Sequence, residues 1–163
     1  MPAVSLSDAV RKVLITGMSG TGKSSALAEL ERLGFQVVDT DDGDWSLWSE
    51  SDGGYVRDEN RMAELLARRD GPSLYVSGTV SNQGKFYPWF DAVVLLSAPA
   101  SILLNRIEQR TTNNYGKTPE QREEVLRHLA EVEPLLQRGC THEIDAAQPL
   151  SEVVYRLVDL GRC

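Results

Sequence analysis

A segment rich in glycine and hydroxyl-bearing residues near the N-terminus has the composition of a phosphate-binding loop. Residues 17–24 read GMSGTGKS and fit the pattern GxxxxGK[ST], directly after an apolar run and before a helical pattern. In such a loop, consecutive backbone N–H groups turn toward phosphate oxygens, the lysine adds a positive charge, and the last hydroxyl reaches Mg²⁺. We therefore predict that this loop binds the phosphates of ATP or GTP. The residues expected to contact the nucleotide are Gly17, Ser19, Gly20, Thr21, Gly22, Lys23, Ser24 and Ser25.

A second candidate for chemistry is a cluster of aspartates after the second apolar run. Four of the six residues 39–44 are aspartates, whereas the apolar run at 73–77 ends without an acid. The carboxylate near Mg²⁺ must then come from the aspartate cluster, which a parallel sheet places at the same edge as the phosphate-binding loop. Asp39 and Asp41 are two residues apart, so they can lie on one side of an extended chain, where one faces water bound to Mg²⁺ and the other faces an acceptor hydroxyl. The alternative is an acidic surface loop closed by an Asx turn.

The apolar periodicity predicts the elements that must position these residues. Short apolar runs indicate strands at 10–16, 35–38, 73–77 and 92–97, and a fifth strand is expected at 141–144. Helical spacing indicates helices at 23–33, 59–69, 99–110, 120–137 and 149–160. Strands that alternate with helices form a parallel sheet covered on both faces, because parallel strands need crossover connections. The expected fold is α/β, a three-layer sandwich around a five-stranded parallel sheet, with residues 1–163 in a single domain.

Composition limits the classes of partner. The chain of 163 residues has a net charge of −7, which leaves no basic surplus for nucleic acid or anionic membranes. No apolar run approaches the roughly 20 residues of a membrane span, and the first residues lack an apolar signal segment. Cys140 and Cys163 lack the spacing of a zinc site. We expect a cytoplasmic protein, monomeric or weakly dimeric, that binds neither nucleic acid nor membranes.

The motifs resemble those of the small P-loop kinases of the shikimate kinase and nucleoside monophosphate kinase group, over nearly the whole chain. In shikimate-kinase-like enzymes a DxD motif places one carboxylate near Mg²⁺ and a second one on the substrate hydroxyl. Asp39-Thr40-Asp41 matches that motif. Residues 142–150 resemble the loop that wraps the adenine in this group. The resemblance implies a P-loop NTPase fold with a mobile lid, which uses ATP and Mg²⁺.

Arg106 and Arg110 resemble the RxxxR at the start of the lid in nucleotide kinases, where the first arginine stacks on the adenine and the second approaches the phosphates. Because residues four apart share a helix face, both guanidinium groups can point at one nucleotide. Residues 111–119 are polar and rich in turn formers, which predicts a lid from which Lys117 and Arg122 swing toward the γ-phosphate. The alternatives are a solvated helix face and an ordinary interhelix loop.

The acceptor-binding region is expected at about residues 40–70. The segment after the third predicted strand, residues 77–86, departs from both of these kinase groups, because it has neither the glycine-rich acceptor loop of adenylate kinases nor a clear arginine triad for the shikimate carboxylate. The polar residues at 81–84, with Lys85 beside them, suit an uncharged polar group, and the tryptophans form either a pocket wall or a packed subdomain. The residues expected to bind the acceptor are Asp41, Trp45, Trp48, Arg57, Ser81, Asn82, Gln83 and Gly84.

These residues predict an ATP-dependent kinase that transfers the γ-phosphoryl group to a hydroxyl of a small molecule. One alternative is a nucleoside or nucleoside monophosphate kinase, and another is a nucleotide-binding regulatory module without efficient phosphotransfer. The predicted catalytic residues are Lys23, Asp41 and Arg110, with Ser24 and Asp39 at the Mg²⁺.

Overall fold

Strands and helices alternate along the chain in the structure, a computed structural model that describes residues 11–18, 20–40, 46–51, 54–67, 71–78, 83–111 and 114–162. The strands are β1 (Lys12–Thr16), β2 (Gln36–Asp39), β3 (Ser46–Ser49), β4 (Gly54–Arg57), β5 (Leu74–Ser77), β6 (Ala92–Ser97) and β7 (His142–Asp145). The helices are α1 (Lys23–Arg32), α2 (Glu59–Leu66), α3 (Ala100–Gln109), α4 (Pro119–Glu131), α5 (Glu133–Gly139) and α6 (Leu150–Leu160), with a 3₁₀ helix at Gln83–Trp89.

Five of these strands form one parallel sheet in the order β2-β5-β1-β6-β7. At the end of β5, Ser77 pairs with Ile15 of β1 on one side and with Asp39 of β2 on the other. Because every strand runs in the same direction, the carboxyl ends of all five lie at one edge of the sheet, which we call the carboxyl edge. The five-stranded parallel α/β fold predicted from the sequence is confirmed.

Helices bury both faces of the sheet. α1 and α6 cover the face that carries Ile15 and Val94, and these residues share one hydrophobic cluster with Leu30 of α1 and Leu157 of α6. On the other face, β1 packs with α2, while β6 packs with α3 and α5. Strands buried on both faces explain the nearly continuous apolar runs in the sequence. Among the described residues, no helix is long and apolar enough to cross a membrane.

The structure differs from the predicted elements at two places. Residues 46–57 contain an antiparallel hairpin, β3 with β4, where no strand was predicted. The prediction of a single helix at 120–137 is wrong, because α4 ends at Glu131 and α5 begins at Glu133. The physical reason is Pro134, which has no N–H to continue the helical hydrogen bonds of α4 and is tolerated in the first turn of a new helix.

Candidate active site

The phosphate-binding loop leads from β1 to α1 through glycines with positive φ. Gly17, Gly20 and Gly22 have φ values of 152°, 87° and 92°. A Cβ on Gly17 would lie 2.5 Å from the carbonyl oxygen of Leu96, and one on Gly20 would lie 2.9 Å from that of Leu103. Both the backbone conformation and the close approach of neighbouring backbone therefore require glycine at these two positions.

Lys23 and Thr21 stabilise this loop from within. The Nζ of Lys23 donates hydrogen bonds to the carbonyl oxygens of Gly17 and Met18, the second at 3.4 Å. The buried hydroxyl of Thr21 also donates to the carbonyl oxygen of Met18, at 2.9 Å. Thr21 is thus in the loop as predicted, with its hydroxyl turned to the loop backbone, and the ammonium group of Lys23 lies over the loop.

The N-terminus of α1 provides the second half of an anion site. No side chain among the described residues caps α1, and its first turn contains no acidic residue. The first N–H groups of a helix lack intrahelical partners, and the helix dipole adds partial positive charge at this end. Ser24 and Ser25 are exposed in this first turn. The loop and the helix end can therefore hold phosphate groups beside a serine hydroxyl.

A buried arginine lies at the carboxyl edge, beside the ends of β2 and β5. The Nε of Arg57 donates to the hydroxyl of Thr40 at 3.0 Å, and that hydroxyl donates to the carbonyl oxygen of Ser77 at 2.7 Å. Only 4% of the surface of Arg57 is exposed. A Cβ on Gly78 would lie 2.2 Å from the Thr40 hydroxyl and 2.9 Å from a terminal nitrogen of Arg57. We call Thr40, Arg57 and Gly78 the Arg57 cluster.

Ser24 and Asp39 have the donor chemistry that Mg²⁺ prefers, a hydroxyl and a carboxylate. Asp39 ends β2, two strands from β1, so about 10 Å of sheet separates it from the strand that enters the loop. The described residues contain no group of three or more His, Cys, Asp or Glu side chains that could hold a metal. A hydroxyl and a carboxylate fit Mg²⁺, which keeps several waters and binds through substrate phosphates and one or two protein oxygens.

The two lid arginines lie at the C-terminal end of α3. α3 ends at Gln109, and Arg110 is its C-cap, with φ −71° and ψ 147°, whose N–H still donates to the carbonyl oxygen of Arg106 at 3.0 Å. Because the φ of Arg110 is helical, its Cβ follows the same helix face as that of Arg106, and the contact of both guanidinium groups with one nucleotide stays a prediction. A terminal nitrogen of Arg110 donates to the carbonyl oxygen of Tyr115 at 2.8 Å, and Lys117 Nζ donates to the carbonyl oxygen of Arg110 at 2.6 Å. Partial burial lowers the pKa of Arg110 from its usual value, although a guanidinium stays charged at neutral pH.

Several of the residues predicted to bind the nucleotide or the acceptor lie outside the part of the chain that the structure describes. Ser19 of the phosphate-binding loop lies outside the described residues, and so do Asp41, Trp45, Ser81 and Asn82. The backbones of Trp48, Gln83 and Gly84 are described but their side chains are not. Lys85, expected as a cation near the acceptor, forms an exposed salt bridge of 3.1 Å with Glu59 of α2.

Sequence reasoning missed three residues at the site. Thr40 follows β2 and Gly78 follows β5, and both lie against Arg57 of β4. The third residue is Tyr115, whose carbonyl oxygen accepts a hydrogen bond from Arg110. Thr40 is the middle residue of the DxD motif, and Gly78 directly follows the third predicted strand. Both positions give a signal in the sequence, but their contact with Arg57 depends on the fold of the hairpin.

Several solved structures have a similar fold. Shikimate kinase from Acinetobacter baumannii in complex with shikimate has a TM-score of 0.65 and 19% identity, with 94% of this chain and 93% of that chain covered. Shikimate kinase from Aquifex aeolicus has a TM-score of 0.59 and 13% identity over 91% and 95% of the two chains. A gluconokinase from Sinorhizobium meliloti 1021 has a TM-score of 0.55 and 24% identity over 92% and 90%.

At these identities the comparisons establish the fold. Among curated proteins, none matches this sequence. The family match is to the AAA domain, over residues 13–127, a range that includes the phosphate-binding loop, the Arg57 cluster and the lid. The chain therefore belongs to the AAA domain family and has the fold of the small P-loop kinases.

Proposed function

We propose that this protein is an ATP-dependent kinase that transfers the γ-phosphoryl group to a hydroxyl of a small molecule. The observation that supports this most is the position of the Arg57 cluster at the carboxyl edge, where Gly78 continues β5 and donates a hydrogen bond of 3.2 Å to the carbonyl oxygen of Ile15 in β1, the strand that enters the phosphate-binding loop. A nucleotide held by the loop would present its phosphates toward that side of the sheet. A second polar site at this edge suits an acceptor.

In this proposal the loop residues and Lys23 hold the β- and γ-phosphates, while Arg110 and Lys117 from the lid offset the charge on the transferred group. Ser24 and Asp39 would hold Mg²⁺, directly or through water. When bound, Mg²⁺ neutralises charge on the phosphate oxygens. Arg106 would stack on the adenine.

Asp41 would orient the acceptor hydroxyl and accept its proton. The acceptor oxygen forms a bond to the γ-phosphorus, the bond from that phosphorus to the leaving oxygen breaks, and ADP departs with the electron pair. An acceptor oxygen within about 3–3.5 Å of the phosphorus satisfies the in-line geometry.

The acceptor pocket would lie between the Arg57 cluster and the segments that carry Asp41, Trp45 and Trp48 on one side and residues 81–84 on the other. Two similar structures support a small acceptor with several hydroxyls, since one was solved with shikimate and another is a gluconokinase. The buried guanidinium of Arg57 is the described group in this region that would attract a polar or anionic part of such a molecule.

The test is ADP release measured with ATP, Mg²⁺ and a panel of sugars, polyols, hydroxy acids, nucleosides and nucleoside monophosphates. We expect at least one hydroxyl compound of the first three classes to stimulate turnover. Lys23→Met should abolish turnover and lower ATP affinity while the fold remains intact, because the ammonium group is not part of the core. Asp41→Asn should abolish turnover and leave ATP affinity unchanged.

Other outcomes would select the two alternatives. Stimulation by nucleosides or monophosphates only would make the protein a nucleoside or nucleotide kinase, with Arg57 and Arg61 as candidates for the phosphate. ATP binding without stimulation by any compound would favour a regulatory module. Unchanged ATP affinity in Lys23→Met would contradict the phosphate-binding loop itself.

A further inference from the structure

The two lid cations are bound to the lid backbone in a reciprocal arrangement. The guanidinium of Arg110, at the start of the lid, donates to the carbonyl oxygen of Tyr115 at 2.8 Å. The ammonium group of Lys117, at its end, donates to the carbonyl oxygen of Arg110 at 2.6 Å. The orientation of Arg110 therefore depends on where the backbone of Tyr115 lies.

The side chain of Tyr115 fixes that backbone to α4. Its hydroxyl donates a hydrogen bond to the carboxylate of Glu124, three residues beyond the capping box of α4. Partial burial, together with this hydrogen bond, raises the pKa of Tyr115 to about 12, so the phenol keeps its proton at neutral pH. The phenol and the carbonyl group of one residue thus connect α4 to Arg110.

Gly116, the residue after Tyr115, is also fixed by contacts to α4 and α3. The N–H of Gly116 donates to the side-chain oxygen of Gln121 at 3.0 Å. Gly116 is buried with φ of 90°, and a Cβ there would lie 2.6 Å from a methyl group of Ile107. Contacts to α4 on one side and to α3 on the other leave the Tyr115 carbonyl little freedom to turn away from Arg110.

We propose that Tyr115 is a positioning residue for Arg110, which it holds in place for the phosphates of the nucleotide through the Glu124–Tyr115 hydrogen bond. This inference rests on the proposed function, since it requires Arg110 to contact a bound nucleotide. It assigns to Tyr115 an indirect role, with no contact to ATP of its own.

The decisive experiment is a double-mutant cycle on Tyr115→Phe and Arg110→Ala, with MgATP affinity measured by calorimetry. Tyr115→Phe removes only the hydroxyl, and we expect it to weaken MgATP binding about two- to tenfold, the range for one lost hydrogen bond. In the Arg110→Ala background the same substitution should change affinity by less than about twofold, because the residue that Tyr115 positions is absent. Glu124→Gln keeps an acceptor for the phenol and should weaken binding less than Tyr115→Phe.

Two controls separate positioning from general damage. Tyr75→Phe removes a buried phenol at the opposite edge of the sheet, where it donates to the carbonyl oxygen of Leu157 at 2.7 Å, and should lower stability without changing MgATP affinity. Tyr155→Phe removes an exposed hydroxyl on α6 and should change neither.

The possible results are distinct. Equal effects of Tyr115→Phe with and without Arg110, or no effect in either background, would overturn the positioning role. If the wild-type protein binds MgATP but phosphorylates no acceptor, the kinase proposal fails while the cycle still tests Tyr115. If the wild-type protein does not bind MgATP, both proposals are wrong.

Discussion

Asp39, Thr40 and Ser77 lie together at the carboxyl edge, where β2 and β5 end. Asp39 pairs across the sheet with Ser77, whose carbonyl oxygen accepts hydrogen bonds from both the backbone and the hydroxyl of Thr40. β5 thus ends in a serine whose backbone orients the DxD segment, and no acid follows it. The neighbouring strand β2 ends in a carboxylate, that of Asp39, whose role at Mg²⁺ stays a prediction.

We predict that Asp39→Asn lowers the dependence of ATP affinity on Mg²⁺. The substitution keeps the shape of the side chain and removes its charge, so binding of ATP in EDTA should be nearly unchanged while the gain on adding Mg²⁺ falls by about tenfold, near 1.4 kcal/mol. Calorimetry with and without Mg²⁺ measures both quantities. Asp91→Asn is a matched control, because Asp91 accepts from the N–H of Lys12 at the opposite edge of the sheet. An equal loss in both metal conditions would argue against a metal role.

Gly78→Ala tests the Arg57 cluster. The new Cβ would lie 2.2 Å from the Thr40 hydroxyl, which its bond to Ser77 holds in place, so Thr40 and Arg57 must both shift. We expect a loss of about 1–3 kcal/mol in the free energy of unfolding and a rise in the KM for the acceptor larger than that for ATP. Urea unfolding and steady-state kinetics measure these effects. An unchanged acceptor KM in the folded variant would place the acceptor away from this cluster.

At the scale of elements, the sequence predicted the strands and helices that have a regular apolar pattern and missed short strands that lack one. The central strands β5, β1 and β6 were found because burial on two faces gives each an apolar run, as in Ala92–Ser97. The hairpin was missed because β3 and β4 are four residues each and contain serine and glycine in place of an apolar run. Arg110 was predicted at the end of a helix by its spacing from Arg106, and it is the C-cap of α3, one residue after Gln109.

The junction of α4 and α5 places an acid in an unfavourable position. One carboxylate oxygen of Glu133 is buried without a hydrogen-bond partner among the described residues. Glu133 and Glu143 line the same cavity of about 450 Å³ beside the carboxyl ends of β6 and β7. Burial, and next the charge of Glu143, raise the pKa of Glu133 above its ordinary value. The folded state therefore binds this proton more tightly than the unfolded state.

We predict that Glu133→Gln stabilises the protein at pH 7 and not at pH 4. Because the folded-state pKa is raised, the favourable contribution of the protonated form is fully present below the ordinary pKa and is lost as pH rises through the folded-state value. At pH 7 the neutral amide should gain about 0.5–1 kcal/mol in the free energy of unfolding, because the charge at the start of a helix recovers only part of the burial cost. Urea unfolding at both pH values is the measurement.

Glu120→Gln provides the control for that helix-end contribution. Glu120 is exposed in the first turn of α4, so its substitution should slightly lower stability at pH 7. If Glu133→Gln also lowers stability at pH 7, the charge of Glu133 is favourable and its burial does not dominate.

At the scale of the whole molecule, the edge of the sheet opposite the carboxyl edge joins distant parts of the chain. Tyr75 of β5 is fully buried and packs edge to face against Phe35, with ring centroids 5.4 Å apart. The side chain of Ser73 donates to the carbonyl oxygen of Gly161 at 2.7 Å, and the Nε of Arg11 donates to that of Leu160 at 3.1 Å. The C-terminal end of α6 is thus bound to the starts of β1 and β5, away from the phosphate-binding loop.

This arrangement predicts that stability and nucleotide binding can be changed separately. A Cβ on Gly161 would lie 2.0 Å from the hydroxyl oxygen of Tyr75 and 2.8 Å from the ring carbon that carries it. Gly161→Ala should therefore lower the free energy of unfolding by about 2–3 kcal/mol, the range of an overpacked core, while the folded variant keeps its MgATP affinity. Tyr75→Phe should cost about 1 kcal/mol through the lost hydrogen bond to Leu157.

The double variant, Gly161→Ala with Tyr75→Phe, tests whether the stability loss comes from the clash between the new Cβ and the Tyr75 hydroxyl. Phenylalanine at position 75 removes the nearest atom that a Cβ at 161 would meet, so the combined loss should be smaller than the sum of the two single losses by about 1 kcal/mol. Urea unfolding gives the three free energies, and calorimetry with MgATP checks that the opposite edge of the sheet is undisturbed. Additive losses would show that a Cβ at position 161 does not meet the Tyr75 hydroxyl. A parallel loss of MgATP affinity in the folded variants would show that the two edges of the sheet are coupled.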